Sequence, residues 1–253
     1  MSGDVSAAAL PAAPLWGELR YSAELACLLA DRTLRSPRRS AHAQPVLLIP
    51  GFMAGDSSLV VMRGWLRRRG HPVSMSGIRA NVDCAERIVA RLQGQLRDLV
   101  QEHDAPAVLI GQSRGGALAR ALAVREPEHV SGLVMLGSPV RDALAVAPTV
   151  MRTVRWMARL GDLRVPGVFS SSCRDGDCCE AFREELAAPL EETIASVAIH
   201  SRSDAIVDWR ACLDPHGEQV EVDSSHCGMS VHPAVYRVLE RVLDETGARA
   251  WNG

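Results

Sequence analysis

Gly111-Gln112-Ser113-Arg114-Gly115 is where chemistry is most legible in this sequence. A serine framed by glycines two residues before and two after suits a tight strand-to-helix turn. Larger residues there would make strand and helix collide while the serine is forced into a strained backbone conformation. The pentapeptide alone is a weak signal, but its setting strengthens it. The apolar run Ala107–Ile110 leads directly into Gly111, and a helix-like segment leaves from Ser113. A serine hydroxyl is a poor nucleophile at neutral pH and needs a base within hydrogen-bond reach. Of the eight histidines, His42, His71, His103 and His129 read as solvated. His200 ends a strand and is placed to line a site; His216 lies in a Pro-Gly turn, and His232 reads as a helix start. His226, in Ser224-Ser225-His226-Cys227-Gly228, follows the last strand on the same sheet edge as Ser113, and is the expected base. A base of this kind needs a carboxylate to fix its tautomer and stabilise the imidazolium. Asp204, after the strand Ile194–His200, is the expected acid. Its rivals are Asp208, which reads as an N-cap or ion pair beside Arg210, and Asp214.

Such a set performs acyl transfer through a covalent intermediate, and that requires backbone N–H groups aimed at the developing oxyanion. One donor is expected from Arg114, the residue after the serine. The other is expected from the loop Pro50-Gly51-Phe52-Met53-Ala54-Gly55, with Phe52 preferred and Met53 as the alternative. The Phe52 ring would then help to form an acyl pocket, with Met53 and Gln112 as further candidate substrate contacts.

Together LLIPGFMAGD, IGQSRGG, SRSDAIVDW and SSHCGM resemble the compact bacterial lipases and esterases of the α/β-hydrolase family, over about residues 45–245. The order serine, aspartate, histidine is that fold's order. The resemblance implies the fold, the Ser113–Asp204–His226 triad and the Phe52 and Arg114 oxyanion donors. It also implies a carboxylic ester, small-molecule or lipid, as substrate; an acyltransferase, thioesterase or amidase on the same triad is the alternative, and a catalytically inactive binding protein a third reading. Three positions depart from the family pattern. Pro50 stands where His often precedes the oxyanion-loop glycine, Gln112 where His or Tyr often precedes the serine, and Arg114 where Met or Leu often follows it.

Strands and helices must alternate to hold these groups. Short apolar runs at 46–49, 107–110 and 132–136 read as buried parallel strands. Residues 72–75, 194–200 and 219–222 complete a sheet of about six, mostly parallel. Helices are expected over 57–69, 82–100, 113–125 and 232–244, on both faces of the sheet. In the 82–100 helix, Ala85, Ile88, Val89, Leu92, Leu96 and Leu99 recur at helical spacing. Residues 1–44 read as an N-terminal extension, helical over 15–34, ahead of a domain spanning 45–253. Residues 138–193 exceed the usual connection of about 2–6 residues and read as a cap, with Val150, Val154, Trp156, Met157 and Leu160 as its apolar surface and Trp156 and Met157 as candidate substrate contacts; a structural helix packed on the core is the alternative.

Composition narrows the partners. The 253 residues are 47 % hydrophobic with a net charge of -2, so nothing favours a nucleic-acid partner. No apolar run reaches the roughly 18 residues of a membrane span. The start, MSGDVSAAALPAAPLW, carries Asp4 and two prolines where a signal peptide wants positive charge and an apolar stretch. A cytoplasmic location is therefore expected. No phosphate-binding G-x-G-x-x-G or complete metal-ligand set is visible, so no cofactor and no metal are expected. The oligomeric state is open. Of seven cysteines, Cys27, Cys84 and Cys212 read as buried free thiols. For Cys173, Cys178 and Cys179, free thiols, a local disulfide and a metal site stay open, although zinc ligands more usually come as C-x-x-C pairs. A Cys212–Cys227 bridge would brace the loops carrying Asp204 and His226.

Overall fold

The computed structural model describes residues 15–35 and 38–252. Six strands form one sheet in the order β2-β1-β3-β4-β5-β6: β1 Val46–Ile49, β2 Val73–Met75, β3 Ala107–Gln112, β4 Val130–Leu136, β5 Ala195–His200 and β6 Glu218–Glu221. Every pairing in it is parallel. Alternation along a strand sends neighbouring side chains to opposite faces. Accordingly Leu47 and Ile49 of β1 join the core under α4 (Ala85–His103) and α5 (Arg114–Arg125). Val46 and Leu48 join a second core under α3 (Val60–Arg69) and α9 (Pro233–Asn252). Both faces are covered, so the central strands are continuous apolar runs rather than alternating ones.

The six apolar positions expected on the inner face of the 82–100 helix are all buried in α4. The last helix runs eight residues past its expected end, because Thr246 remains buried and its hydroxyl receives the Gln44 side-chain amide at 2.5 Å. The N-terminal segment differs more from expectation. Its helices α1 (Arg20–Ala30) and α2 (Arg32–Arg35) lie against the main domain, with Leu28 fully inside the second core. Residues 1–14, including Asp4, lie outside the described residues. His71 is a correction. It is buried, because the turn after α3 packs it against the segment before β1, with Nδ1 at the Gln44 backbone. Cys27 is another: it lies on the outer side of α1 and is exposed.

Residues 138–193 contribute α6 (Pro148–Asp162), α7 (Ser171–Asp175) and α8 (Glu180–Ala187) over the carboxyl edge of the sheet. No helix among the described residues is long and apolar enough to cross a membrane.

Candidate active site

Ser113 occupies the turn between β3 and α5 at φ 52°, ψ -125°. A non-glycine residue held there costs about 1–3 kcal/mol and persists only when its surroundings fix it. Here the Ser113 N–H donates to the Leu136 carbonyl of the neighbouring strand at 2.7 Å. The flanking glycines have steric reasons. A Cβ at Gly111 would run into the Gly115 carbonyl, and one at Gly115 into the Ile49 carbonyl. Gly51 lets the two loops approach closely, since a Cβ there would lie 3.2 Å from that of Ser113.

The structure brings His226 and Asp204 together: Nδ1 lies 2.6 Å from Oδ2, and both side chains are buried. The other carboxylate oxygen of Asp204 accepts the N–H groups of Ile206 and Val207, each at 2.8 Å. The turn after β5 therefore locks the carboxylate's orientation. Burial depresses the His226 pKa, but the Asp204 charge and hydrogen bond, helped by Glu18, outweigh it and raise the pKa above its ordinary value. Gly137, at φ +56°, passes beneath the pair; a Cβ there would sit 3.1 Å from His226 Nδ1 and 3.3 Å from Asp204 Oδ2. The rival acids are engaged elsewhere. Asp208 caps a short turn by accepting the Arg210 N–H, and Asp214 is buried in an ion pair with Arg120 at 2.7 Å. His200 stacks on Trp209, with ring centroids 5.8 Å apart.

Ser113, His226, Phe52, Met53, Gln112 and Arg114 all line one cavity of about 950 Å³. In the loop after β1, the Met53 N–H is already donated to the Asn81 carbonyl at 3.3 Å. That leaves Phe52 the better placed of the two candidate oxyanion donors. Gln112 is buried, and its amide donates to the carbonyls of His226 (3.3 Å) and Cys227 (3.4 Å), tying the serine turn to the histidine loop. The Arg114 guanidinium lies 5.6 Å from the centre of the Phe169 ring and donates to Asn81 Oδ1 (2.6 Å) and the Asp83 carbonyl (2.6 Å). Burial lowers its pKa to about 10, so it stays charged at neutral pH.

The cap-side expectation needs correcting. Val150, Thr153 and Val154 of α6 face the cavity, but Trp156 and Met157 do not line it. At about 100° per residue, Trp156 is turned some 200° from Val154, and it is 58 % exposed. Met157 shares the inner face but lies a turn further on, packed with Ala158 and Phe169. Among the described residues the structure carries no disulfide: the Cys173 and Cys178 sulfurs lie 3.4 Å apart, and Cys212 points its sulfur toward the Asp208 carbonyl.

Three positioning groups escaped the sequence reading. Asn81 is fully buried and its amide donates to the Pro50 carbonyl at 2.7 Å, bracing the oxyanion-type loop. Glu18 accepts the N–H groups of His226 (3.0 Å) and Cys227 (2.9 Å). Glu24, buried on α1, accepts the Ser225 N–H (2.8 Å) and hydroxyl (2.6 Å). The N-terminal segment thus clamps the histidine loop. No motif spacing announces such a contact, because it joins residues about 200 positions apart.

A parallel sheet with a strained serine at a strand-to-helix turn defines the class, an α/β hydrolase. The sequence profile of the serine aminopeptidase S33 family matches residues 66–203, more than half of the chain, and the chain belongs to that family. No curated protein sequence matches it. Among solved structures it is similar to the lipase BlEst2 of Bacillus licheniformis in mature form, at 13 % identity and TM-score 0.61, covering 82 % of this chain and 94 % of that one. It is also similar to a soluble variant of monoglyceride lipase from Saccharomyces cerevisiae in complex with a substrate analogue, at 14 % identity and TM-score 0.60, covering 84 % and 89 %. A third is the putative non-heme bromoperoxidase BpoC of Mycobacterium tuberculosis, at 17 % identity and TM-score 0.54, covering 81 % and 93 %. At these identities the likeness is one of fold.

Proposed function

We propose that the protein hydrolyses carboxylic esters with an apolar acyl group. The observation that carries this reading is a buried His226–Asp204 pair on the same mainly apolar cavity as the strained Ser113. Ser113 Oγ attacks the ester carbonyl while His226 Nε2 takes its proton. Asp204 holds the Nδ1–H tautomer and stabilises the imidazolium. The N–H groups of Phe52 and Arg114 receive the oxyanion of the tetrahedral intermediate. On collapse, the alcohol leaves with the proton from His226, and Ser113 keeps the acyl group. Water, deprotonated by His226, then releases the acid by the same steps. Val150, Val154, Phe169, Phe182 and Leu186 give the acyl chain its apolar walls.

A peptide or amide is the second reading, since the family's description is of an aminopeptidase. Binding a substrate's free ammonium calls for a carboxylate in the cavity, and its lining carries one, Asp142, beside Arg114, Arg141 and Arg183, with Arg120 already paired to the buried Asp214. The charge balance favours a neutral ester. A panel of p-nitrophenyl esters graded by chain length, run beside aminoacyl anilides and with Ser113→Ala as control, tests this. Turnover of medium-chain esters that vanishes in Ser113→Ala supports it. Anilide turnover exceeding ester turnover would overturn it.

A further inference from the structure

Four cysteines from two distant stretches of chain meet beside the cavity. Cys84 is the N-cap of α4, while Cys173 lies in α7 and Cys178 and Cys179 in the turn that follows it. The Cys84 sulfur lies 3.6 Å from those of both Cys178 and Cys179, and the Cys173 sulfur 3.4 Å from that of Cys178. All four sulfurs fall within 4.8 Å of one another. A disulfide needs about 2.05 Å between two sulfurs. Four thiolates around one zinc ion, at about 2.3 Å each, are separated by the edge of a tetrahedron, about 3.8 Å. The observed spacings lie near the second figure. These contacts allow one pairing of all four sulfurs, Cys84 with Cys179 and Cys173 with Cys178, and each pair would have to close by more than about 1 Å to form a bridge, whereas one ion satisfies all four near their present spacing.

We propose that Cys84, Cys173, Cys178 and Cys179 form a structural zinc site that fastens the α7–α8 side of the cap to the start of α4. Binding converts four thiols to thiolates and releases their protons to solvent, with no electron transferred. A zinc tetrathiolate carries a net charge of -2, which must be balanced when half its ligands are buried. Cys84 and Cys179 are buried. Two cations lie near: the half-buried Arg114 is held one residue from Cys84 through the Asp83 carbonyl, and Arg87, itself paired with the Asp83 carboxylate, lies in the first turn of α4. The positive end of the α4 dipole adds to this at Cys84. With four protein ligands the ion has no open position, so it takes no part in hydrolysis. Its effect is on shape, because Cys173 and Cys179 are themselves part of the cavity wall.

The test uses the full chain, expressed with added zinc and purified without chelators or a metal-binding tag. Elemental analysis should find one zinc per chain. Removal of the ion should lower the melting temperature and expose four thiols to titration. Cobalt(II) added to the metal-free protein should give the thiolate charge-transfer and visible bands of a tetrahedral sulfur site. Cys178→Ser/Cys179→Ser should bind at least about tenfold less zinc, and Cys27→Ser should bind as the parent does. If the double variant does not fold, the cobalt spectrum of the parent decides. A chain that holds no metal, one that holds iron instead, or an intact mass showing bridges among these four cysteines, would each overturn the proposal. All of these readouts are independent of catalysis, so their failure leaves the ester reading where it stands.

Discussion

Replacing Asp204 with Asn separates a triad from a chance proximity. The Asp204 Oδ1 accepts two backbone N–H groups at 2.8 Å, so an Asn side chain will keep its carbonyl there. Its NH2 group must then occupy the place of Oδ2, 2.6 Å from His226 Nδ1. A donor in that place forces Nδ1 to accept, and the ring proton moves to Nε2. That tautomer cannot take the Ser113 proton. The expected fall in kcat is on the order of 10⁴-fold, equivalent to about 5.5 kcal/mol of transition-state stabilisation. The pH profile supplies a second readout. In the parent, the raised His226 pKa places the acid limb of kcat/KM above the ordinary histidine value of 6.5. With Asn, burial is left to act against the cation, and the limb shifts to lower pH. Asp208→Asn, which touches only a cap, should keep activity within a few-fold. Initial rates on a p-nitrophenyl ester between pH 5 and 9 measure all three enzymes. If Asp208→Asn is the more damaging, or Asp204→Asn keeps more than a tenth of the parent's turnover, the assignment of the acid is wrong.

The same pair makes a prediction about stability. Because the folded pKa of His226 is raised, its contribution is fully present below the unfolded value of 6.5 and is lost as pH rises through the folded pKa. Asp204→Asn should flatten that part of the unfolding curve against pH. Glu24→Ala removes the acceptor of two charge-assisted hydrogen bonds to Ser225, which should cost about 2–4 kcal/mol and lower the melting temperature by about 5–15 °C; a loss under about 1 kcal/mol would refute the clamp. Asp214→Ala strands the buried Arg120 cation and should cost about 3–5 kcal/mol, whereas Arg120→Met/Asp214→Leu should come close to neutral. Denaturant unfolding of the three variants checks the ordering. Val154→Ala should raise KM for long-chain esters more than for acetate, and the outward-facing Trp156→Ala should leave both unchanged.

The sequence made the catalytic edge legible because its signals are local. The glycines around Ser113 are demanded by a turn of five residues, and the Asp204 and His226 loops each follow an apolar strand directly. Strand and helix positions followed from periodicity, which also identified the buried face of α4. Helix α6 shows where that logic ends. Its apolar residues Val150, Val154, Trp156, Met157 and Leu160 mark a surface, but their spacing does not say where along it the cavity ends: Val150 and Val154 line the cavity, and Trp156 and Met157 do not. Cys84 shows a further limit: 89 residues of chain separate it from Cys173, and only the packing of the cap against α4 unites them. The acidic clamp of Glu18 and Glu24 is hidden for the same reason. Their partners, the N–H groups of Ser225, His226 and Cys227, come from a loop that only the docking of the N-terminal segment brings near.

The most direct measurement of the central claim is active-site labelling with a fluorophosphonate, followed by peptide mass spectrometry. The account predicts one adduct per chain, on Ser113, formed in step with loss of esterase activity, absent in Ser113→Ala and strongly slowed in Asp204→Asn. A chain that hydrolyses esters but is not labelled, or is labelled at another serine, would contradict it.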